Sequence, residues 1–325
     1  MKLRFCRQQL LLLTALTNVF VLASLVCIFE SLFWWGELFT PFTVQYIILG
    51  SILCIWALLQ RLRKVALLVG MLSLYHIAIF GYAATQFSNP PLTANANGTE
   101  LRVLQFNARI YNPSPQATVD ALVALASNHD ILVMQEYPYS FAQVDLSGLH
   151  ALYPHHYVAR GGITTLPGIA IFSKTPFITD EIVGHGVKAS YLRVTLSEPE
   201  IQFIALHSMI PFDKPWVESR NLQQNNVMRE ISVMPYGAFA VGDFNQTPYA
   251  QSFRTILHDN EVRLATFPDN LLPSWPSFLP TILLRIPIDH MVVNDKAHII
   301  SRELIEIEGS DHSAVSNHLL LLSHP

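Results

Sequence analysis

Cysteine is scarce in this chain and is confined to its first part. Of 325 residues only three are cysteines, Cys6, Cys27 and Cys54. The rest of the chain therefore cannot form disulfides, and it cannot build the zinc centres that need thiolate ligands at fixed spacing. A metal bound there must be held by oxygen or imidazole donors.

Charged residues are absent from three long stretches before residue 85. The stretches 10–29, 42–59 and 65–84 contain no Lys, Arg, Asp or Glu and consist mainly of apolar side chains. As helices they have about the length that crosses the ~30 Å hydrocarbon core of a bilayer. Three such stretches in series, without a small-residue cleavage site, are typical of a permanent anchor rather than a signal peptide. The sequence predicts a membrane anchor of three transmembrane helices in residues 1–85.

Cations flank these stretches at alternate ends. Three Lys or Arg residues lie within residues 2–7 and three more within 61–64, whereas residues 30–41 contain two glutamates and no cation. By the positive-inside rule, the N-terminus is cytoplasmic. Three crossings then place the rest of the chain on the opposite side of a cell membrane, in a periplasmic or extracellular space.

A change of composition marks the start of a second domain. Asn, Pro, Ala and Thr dominate residues 86–99, which predicts a linker, and residues 100–325 are long enough for one large core. Residues 1–99 contain six Lys/Arg and two Asp/Glu of the 20 and 24 in the chain, which leaves 14 basic and 22 acidic residues for this domain. A formal charge of −8 argues against a protein that binds long nucleic acid non-specifically through its phosphates.

Strand and helix patterns alternate in this second domain. Helical spacing of apolar residues predicts helices over 116–128 and 216–234. Short, β-branched apolar runs predict strands at 101–106, 131–134, 168–173, 191–196, 201–206, 238–241 and 286–288. The alternation predicts an α/β fold.

Polar residues directly follow several of these predicted strands. Glu136 comes after the second strand, the segment Gly242–Asn245 after the sixth, and Asp289 after the seventh. A Ser-Asp-His segment comes later, at Ser310–His312. Side chains just beyond buried strands emerge at a sheet edge, where the active-site residues of α/β enzymes commonly lie. Carboxylates, amides and imidazoles at such an edge suggest a metal-assisted phosphoryl site.

In this order and spacing the segments resemble the endonuclease/exonuclease/phosphatase superfamily. The matching segments are Val103–Asn107, Leu132–Glu136, Gly168–Ser173, Leu206–His207, Gly242–Asn245, Ile288–His290 and Ser310–His312. The resemblance implies a DNase I-like four-layer α/β sandwich, with two mixed sheets face to face and helices outside. With three preceding transmembrane helices, the chain is similar to bacterial inner-membrane members of that superfamily.

The residue types indicate how such a site would hydrolyse a phosphoester. Glu136 is expected to bind Mg²⁺ or Mn²⁺, which take one or two protein carboxylates and complete their shell with water and substrate oxygens. Asp243 is expected to activate or orient the attacking water, and Asn245 to hold phosphate or metal. The alternatives are a surface acid at Glu136 and an ordinary turn at Gly242–Asn245.

The remaining site residues surround a histidine. His312 is expected to stabilise charge in the transition state or to protonate the leaving oxygen. By resemblance, Asp289 orients that imidazole and Asp311 lies at the metal or phosphate side. The resemblance also implies that His207 contacts the scissile phosphate and that Asn107 binds metal or phosphate.

Several alternatives remain open on the sequence. The favoured function is hydrolysis of lipid headgroups or small phosphoesters; the others are cleavage of extracytoplasmic nucleic acid and a non-catalytic binding domain. The bilayer and a phosphoester are the expected partners, and no motif indicates a stable protein partner. The apolar stretch 275–284 is either a buried segment or a membrane-facing loop at the site's rim. His155 and His156 follow Tyr-Pro and are predicted to lie in a loop without a metal role.

The first prediction concerns orientation in the membrane. A reporter that is active only outside the cytoplasm should be active when it is fused after Pro325, because two cationic clusters and three spans place that point across the membrane. The same reporter fused within residues 61–64 is the control and should be inactive. Cytoplasmic exposure of the Pro325 fusion would contradict the orientation.

Overall fold

The structure, a computed structural model, describes residues 7–85, 98–159, 168–182, 190–197, 199–264 and 272–322. Most of the predicted linker, residues 86–97, lies outside the described residues, and its last two residues already belong to the first strand.

The three apolar stretches form long helices. Helix α1 spans Arg7–Ile28, α2 spans Thr43–Leu59 and α3 spans Arg63–Thr85. Each lies in a segment that is long and apolar enough to cross a membrane. Buried side chains from all three helices pack together, among them Phe20, Leu53 and Val69. The expected three-helix segment is therefore present.

The second domain contains twelve described strands and four described α-helices. The strands are β1 Gly98–Asn107, β2 Ile131–Gln135, β3 His155–Ala159, β4 Ile169–Ser173, β5 Phe177–Ile182, β6 Tyr191–Ser197, β7 Glu200–His207, β8 Phe239–Asp243, β9 Arg263–Leu264, β10 Asp289–Val293, β11 Ala297–Ile305 and β12 Ala314–Leu322. The helices are α4 Pro115–Ala126, α5 Ser147–Leu152, α6 Lys214–Ser232 and α7 Gln251–Asp259.

These strands form two mixed six-stranded sheets. The first has the order β11-β12-β1-β2-β4-β3 and the second the order β5-β6-β7-β8-β10-β9. Strands β1 and β2 are parallel, as are β7 and β8, and the other neighbours are antiparallel. Helices α4 and α5 cover the outer face of the first sheet, and α6 and α7 cover the second. The predicted four-layer α/β sandwich, preceded by three long apolar helices, is confirmed.

Alternate residues of the central strands face opposite layers, as the two-residue period of a strand requires. On β1, Val103 packs between the sheets and Leu104 packs against the outer helices. On β8, Val241 packs between the sheets and Ala240 faces outward. The central strands are buried on both faces, so their sequences are continuously apolar.

Two local predictions are wrong. Residues 286–288 make only one isolated bridge, and strand β10 begins at Asp289 instead of ending before it. Pro287 explains the difference, because proline has no N–H to donate to a sheet. His155 and His156 are not loop residues but the first two residues of edge strand β3.

The segment between α1 and α2 docks onto the second domain. This interspan segment, residues 30–42, forms three short 3₁₀ turns, at Glu30–Leu32, Trp34–Leu38 and Thr40–Phe42. The carboxylate of Glu37 forms a buried ion pair with Arg220 of α6 and accepts a hydrogen bond from Ser252 Oγ at 2.6 Å. The interspan segment and the second domain therefore lie on the same side of the three helices.

The apolar stretch 275–284 forms a protruding loop, so the alternative of a buried segment is wrong. Phe278 is 74% exposed, and Ile282, Leu283 and Leu284 are each about half exposed. Gln45, in the first turn of α2, donates to the carbonyl of Leu283 at 2.9 Å. The loop therefore lies beside the end of a helix that is long enough to span a membrane.

The second prediction concerns the Glu37–Arg220 pair. Glu37→Gln should destabilise the protein by about 3–5 kcal/mol, because it leaves the buried Arg220 guanidinium without its counter-charge. The measurement is thermal unfolding of the full-length protein in detergent. Glu218→Gln is the control: it removes an exposed pair with Lys214 and should hardly change the unfolding midpoint. Equal midpoints for the two variants would contradict the structural role of Glu37.

Candidate active site

Four of the expected site residues lie at the ends of the two parallel strand pairs. Asn107 is the last residue of β1, and Glu136 follows β2 directly. His207 ends β7 and is paired with Asp243, which ends β8. The carboxyl ends of parallel neighbours meet at one sheet edge, so each sheet places two polar side chains there.

Two further residues arrive at the same edge from antiparallel strands. Asp289 is the first residue of β10 and is paired with Asp243 across the ladder. His312 lies two residues before β12, which is the antiparallel neighbour of β1. An antiparallel strand starts where its neighbour ends. Asp289 and His312 therefore lie at the same sheet edge as Asn107, Glu136, His207 and Asp243.

Asn107 links the two sheets at this edge. Its side-chain Nδ2 donates to Asp243 Oδ2 at 3.0 Å and to Glu136 Oε1 at 3.3 Å. Its Oδ1 accepts from the backbone N–H of Arg109 at 3.1 Å, and Glu136 Oε2 accepts from the N–H of Ile110 at 3.0 Å. The turn after β1 therefore fixes both side chains, while the Glu136 side chain stays 24% exposed.

Four backbone positions at this edge have positive φ, one of them Arg109 at 59°. Gly242 has a φ of 154°, and a Cβ on it would lie 1.9 Å from the carbonyl oxygen of Leu206, so only glycine fits. Asn245 has a φ of 48°, which asparagine tolerates. Glu136 has a φ of 52°, and such a conformation costs about 1–3 kcal/mol. Strain of this kind is typical of functional sites.

His312 and Asp289 form a buried hydrogen-bonded pair. His312 Nδ1 lies 2.8 Å from Asp289 Oδ2, and both side chains are almost inaccessible to water. The Asp289 carboxylate also accepts hydrogen bonds from Gln105 Nε2 at 2.6 Å and Ser274 Oγ at 2.5 Å. With Nδ1 held by Asp289, His312 Nε2 points toward Asp243, 3.8 Å from its Oδ2.

Burial and neighbouring charges separate the pKa values of these groups. Burial raises the pKa of Asp243 to about 6; Asp289 adds to that shift and the histidines oppose it. Burial by itself would lower the pKa of His312, but the carboxylates of Asp289, Asp243 and Asp311 outweigh it and raise that pKa to about 9. Burial also acts to raise the pKa of Asp289, yet His312 and the donated hydrogen bonds hold it below its usual value. Near pH 7 the site therefore contains a charged imidazolium beside carboxylates.

His207 and Asn245 face the same cluster. His207 Nε2 lies 3.7 Å from Asp243 Oδ2 and 3.9 Å from Glu136 Oε1. The Asn245 side-chain Nδ2 is 3.4 Å from His207 Nε2 and donates to the Ser208 carbonyl at 2.9 Å. The His207 side chain therefore lies beside Asp243, and the Asn245 side chain lies beside His207.

Asp311 and His290 differ from the central group. Asp311 Oδ2 accepts a hydrogen bond from the Trp275 indole at 3.2 Å, so its carboxylate lies beside Trp275. His290 faces away: its Nε2 contacts the Gln246 carbonyl at 2.9 Å and its ring packs against aromatic residues of the outer core. His290 is therefore a core residue.

A cavity of about 540 Å³ lies in front of the cluster. Glu136, Asp243, Asn245, Asp311 and His312 all line it. Its volume falls within the range of pockets that hold small ligands, about 300–1,000 Å³. We call it the catalytic cleft below.

The structure adds residues that sequence reasoning did not identify. Gln105 and Ser274 hold Asp289, and Ser310 Oγ donates to the Asn107 carbonyl at 2.6 Å. Gln105 had a detectable signal, since it interrupts an apolar strand. Glu37 lines the cleft from the interspan segment, and no spacing rule connects it to residues so distant in sequence.

Comparisons with known proteins agree with this fold. The structure of an endonuclease/exonuclease/phosphatase from Beutenbergia cavernae is similar at a TM-score of 0.54 and 18% identity, covering 70% of this chain and 72% of that one. The structure of the endonuclease/exonuclease/phosphatase from Bacteroides vulgatus has a TM-score of 0.52 and 18% identity, covering 68% of this chain and 98% of that one. The structure of D. rerio TDP2, complexed with a single-strand DNA product, has a TM-score of 0.53 and 16% identity, covering 68% of this chain and 99% of that one. No curated protein matches the sequence significantly.

The sequence itself identifies the family. Residues 92–312 match the Endonuclease/Exonuclease/phosphatase family, and this region is more than half of the chain and contains every candidate site residue. The chain therefore belongs to the Endonuclease/Exonuclease/phosphatase family.

Proposed function

We propose that this protein is a membrane-anchored, divalent-metal-dependent hydrolase of phosphoester or phosphodiester bonds. Members of its family hydrolyse phosphoesters. The observation that supports a working enzyme is the gathering of Asn107, Glu136, Asp243 and His312 around one cleft. A non-catalytic binding domain would not need to keep these polar groups buried in a charged cluster.

The donor chemistry at Glu136 fits a hard divalent cation such as Mg²⁺ or Mn²⁺. Its carboxylate lines the cleft and is partly exposed, and such ions prefer a few protein oxygens with open positions for water and substrate. When bound, the ion would neutralise phosphate oxygens and so favour attack by water. Asp311, also in the cleft, is the second residue that we assign to the metal side.

A second cluster of possible ligands fits a metal less well. Among the described residues, one group of three potential ligands lies within 4.8 Å, namely Asp243, Asp289 and His312. The side chains of Asp289 and His312 are 0% and 7% exposed and bound to each other, whereas the Glu136 side chain is 24% exposed and so leaves room for a metal with its waters. We therefore assign this group to proton transfer and charge stabilisation.

The remaining residues receive the following roles. Asp243 orients the attacking water and accepts its proton, for which a pKa of about 6 is suitable near neutral pH. His312, held protonated by Asp289, stabilises the developing charge or protonates the leaving oxygen through Nε2. We assign His207 and Asn245, which lie beside each other next to Asp243, to binding of the phosphate.

The substrate that we favour is a lipid headgroup or a small phosphoester. We place the domain at residues 100–325 and outside the cytoplasm. Its formal charge of −8 does not favour binding of long nucleic acid, which is itself negatively charged. The structural similarity to D. rerio TDP2 keeps nucleic acid as the alternative substrate. The bilayer is the partner that we infer for the three N-terminal helices.

The third prediction tests the reaction. Full-length protein in detergent should hydrolyse a phosphodiester such as bis(4-nitrophenyl) phosphate with Mg²⁺ or Mn²⁺, and chelation should abolish the activity. In Glu136→Gln, higher metal concentration should partly restore activity, because a weakened ligand first lowers metal occupancy. Parallel assays with phospholipids, RNA and plasmid DNA separate the substrate classes. Full activity in excess chelator would contradict the proposal.

The fourth prediction ranks the residues. Asp243→Asn and His312→Ala should each lower kcat by roughly 10²-fold or more with little change in KM, because their interactions form in the transition state. Asp289→Asn should be milder, and its combination with His312→Ala should be far from additive, since the two residues act as a unit.

His155→Ala and His156→Ala are the controls for this ranking, because both residues lie on edge strand β3 and neither lines the cleft. Wild-type turnover in Asp243→Asn, together with a large loss in either control, would show that the site lies elsewhere.

A further inference from the structure

The catalytic cleft is not formed by the second domain alone. Leu38, Pro41 and Phe42 of the interspan segment line it together with Asp243 and His312. A segment that joins two membrane-spanning helices is therefore one wall of the site. Besides Glu37 and Thr40, the segment contributes the three apolar side chains of Leu38, Pro41 and Phe42, although the chemistry proposed for the cleft requires only polar groups.

This wall is fixed by buried polar contacts rather than resting loosely on the domain. Glu37 pairs with Arg220 and accepts hydrogen bonds from Ser252 and from Gln246 Nε2, the latter at 3.2 Å. Arg220 also donates to the carbonyl of Asn245 at 3.3 Å. The apolar wall is thus held in a defined position relative to the phosphate-binding residues, which a binding subsite requires.

A second part of the cleft lining is apolar too. Trp275, Ile286 and Ile288 line it, and the stretch that contains them includes the exposed loop with Phe278. Gln45 of α2 donates to the carbonyl of Arg285 at 3.3 Å, next to Ile286. The apolar surface of the cleft therefore continues to the end of a helix that enters the bilayer.

We propose that Leu38, Phe42, Trp275 and Ile286 form a subsite for the hydrocarbon chain of a phosphoester that is embedded in the membrane. The subsite refines the proposed function and rests on it for the position of the phosphate. The chain of the lipid lies between the interspan segment and the 275–288 stretch, and its phosphate lies at Asn245, His207 and His312. Continuity with the spanning helix favours a bilayer lipid over a water-soluble phosphoester as the occupant.

The test compares two esters that release the same group, methyl 4-nitrophenyl phosphate and dodecyl 4-nitrophenyl phosphate. Full-length wild-type protein in detergent should show a higher kcat/KM for the dodecyl ester. Phe42→Ala should reduce that preference at least about 10-fold, the effect expected when a hydrophobic pocket loses its contact. Phe33→Ala is the matched control, because Phe33 lies on the same segment, is 43% exposed against 42% for Phe42, and does not line the cleft. Comparing variants at one detergent concentration cancels partitioning of the ester into micelles.

A second measurement separates the subsite from the reaction. Binding of dodecylphosphonate and methylphosphonate, which resist hydrolysis, is measured on the same variants by calorimetry. If neither ester is hydrolysed but dodecylphosphonate binds more tightly in a Phe42-dependent way, the subsite stands and the proposed function fails. Hydrolysis of both esters with the same kcat/KM would overturn the subsite and leave the proposed function. A loss of the dodecyl preference in Phe33→Ala as large as that in Phe42→Ala would do the same. Absence of both hydrolysis and binding preference would overturn both.

Discussion

Two buried carboxylates next to each other constrain the edge of the sheets where we propose that catalysis occurs. Asp243 and Asp289 are paired across neighbouring strands of the second sheet, and each is at most 2% exposed. Like charges in a buried site repel strongly, and water is not there to screen them. His312 provides the compensating positive charge, with its pKa raised to about 9 despite its burial. Without this imidazolium, at least one of the two acids would have to be neutral.

The compensating groups come from the opposite sheet. Asn107 donates to Asp243, Gln105 donates to Asp289, and His312 binds Asp289, and all three donors lie on or next to strands of the first sheet. Hydrogen bonds therefore replace apolar contacts between the sheets at this edge. The same bonds that orient the catalytic groups also hold the sheets together, so packing and function cannot be separated here.

One alternation rule explains why these groups meet. On β1 the face that contains Val103 continues with Gln105 and Asn107, and on β8 the face of Val241 continues with Asp243. Each strand thus presents apolar residues to the inter-sheet core along most of its length and polar residues at its last position. The change occurs at the same edge because the central strands are parallel in pairs and their antiparallel neighbours begin where they end.

The sequence predicted much of this arrangement. Buried strands appear as apolar runs, and the polar residues after them, such as Glu136 and Asp243, were found by position alone. The start of β10 was misplaced because the apolar run 286–288 resembles a strand until the missing N–H of Pro287 is considered. The contact between Glu37 and Arg220 had no local signal, since it joins residues that are far apart in sequence and depends on how the anchor docks.

The charges in the cleft explain why an anchor would matter for a phosphoesterase. Among the described residues that line the cleft, the arginines are Arg109 and Arg220, and Arg220 is already paired with Glu37. The cleft is lined by four carboxylates, those of Glu37, Glu136, Asp243 and Asp311, against Arg109, Arg220 and the protonated His312, so its attraction for soluble phosphates would depend on the proposed metal ion. Confinement to the bilayer raises the effective concentration of a membrane-bound substrate without relying on that attraction. The Glu37–Arg220 pair, which neutralises one of these arginines, also holds in place the segment that contains Leu38 and Phe42, the wall that we propose for an alkyl chain.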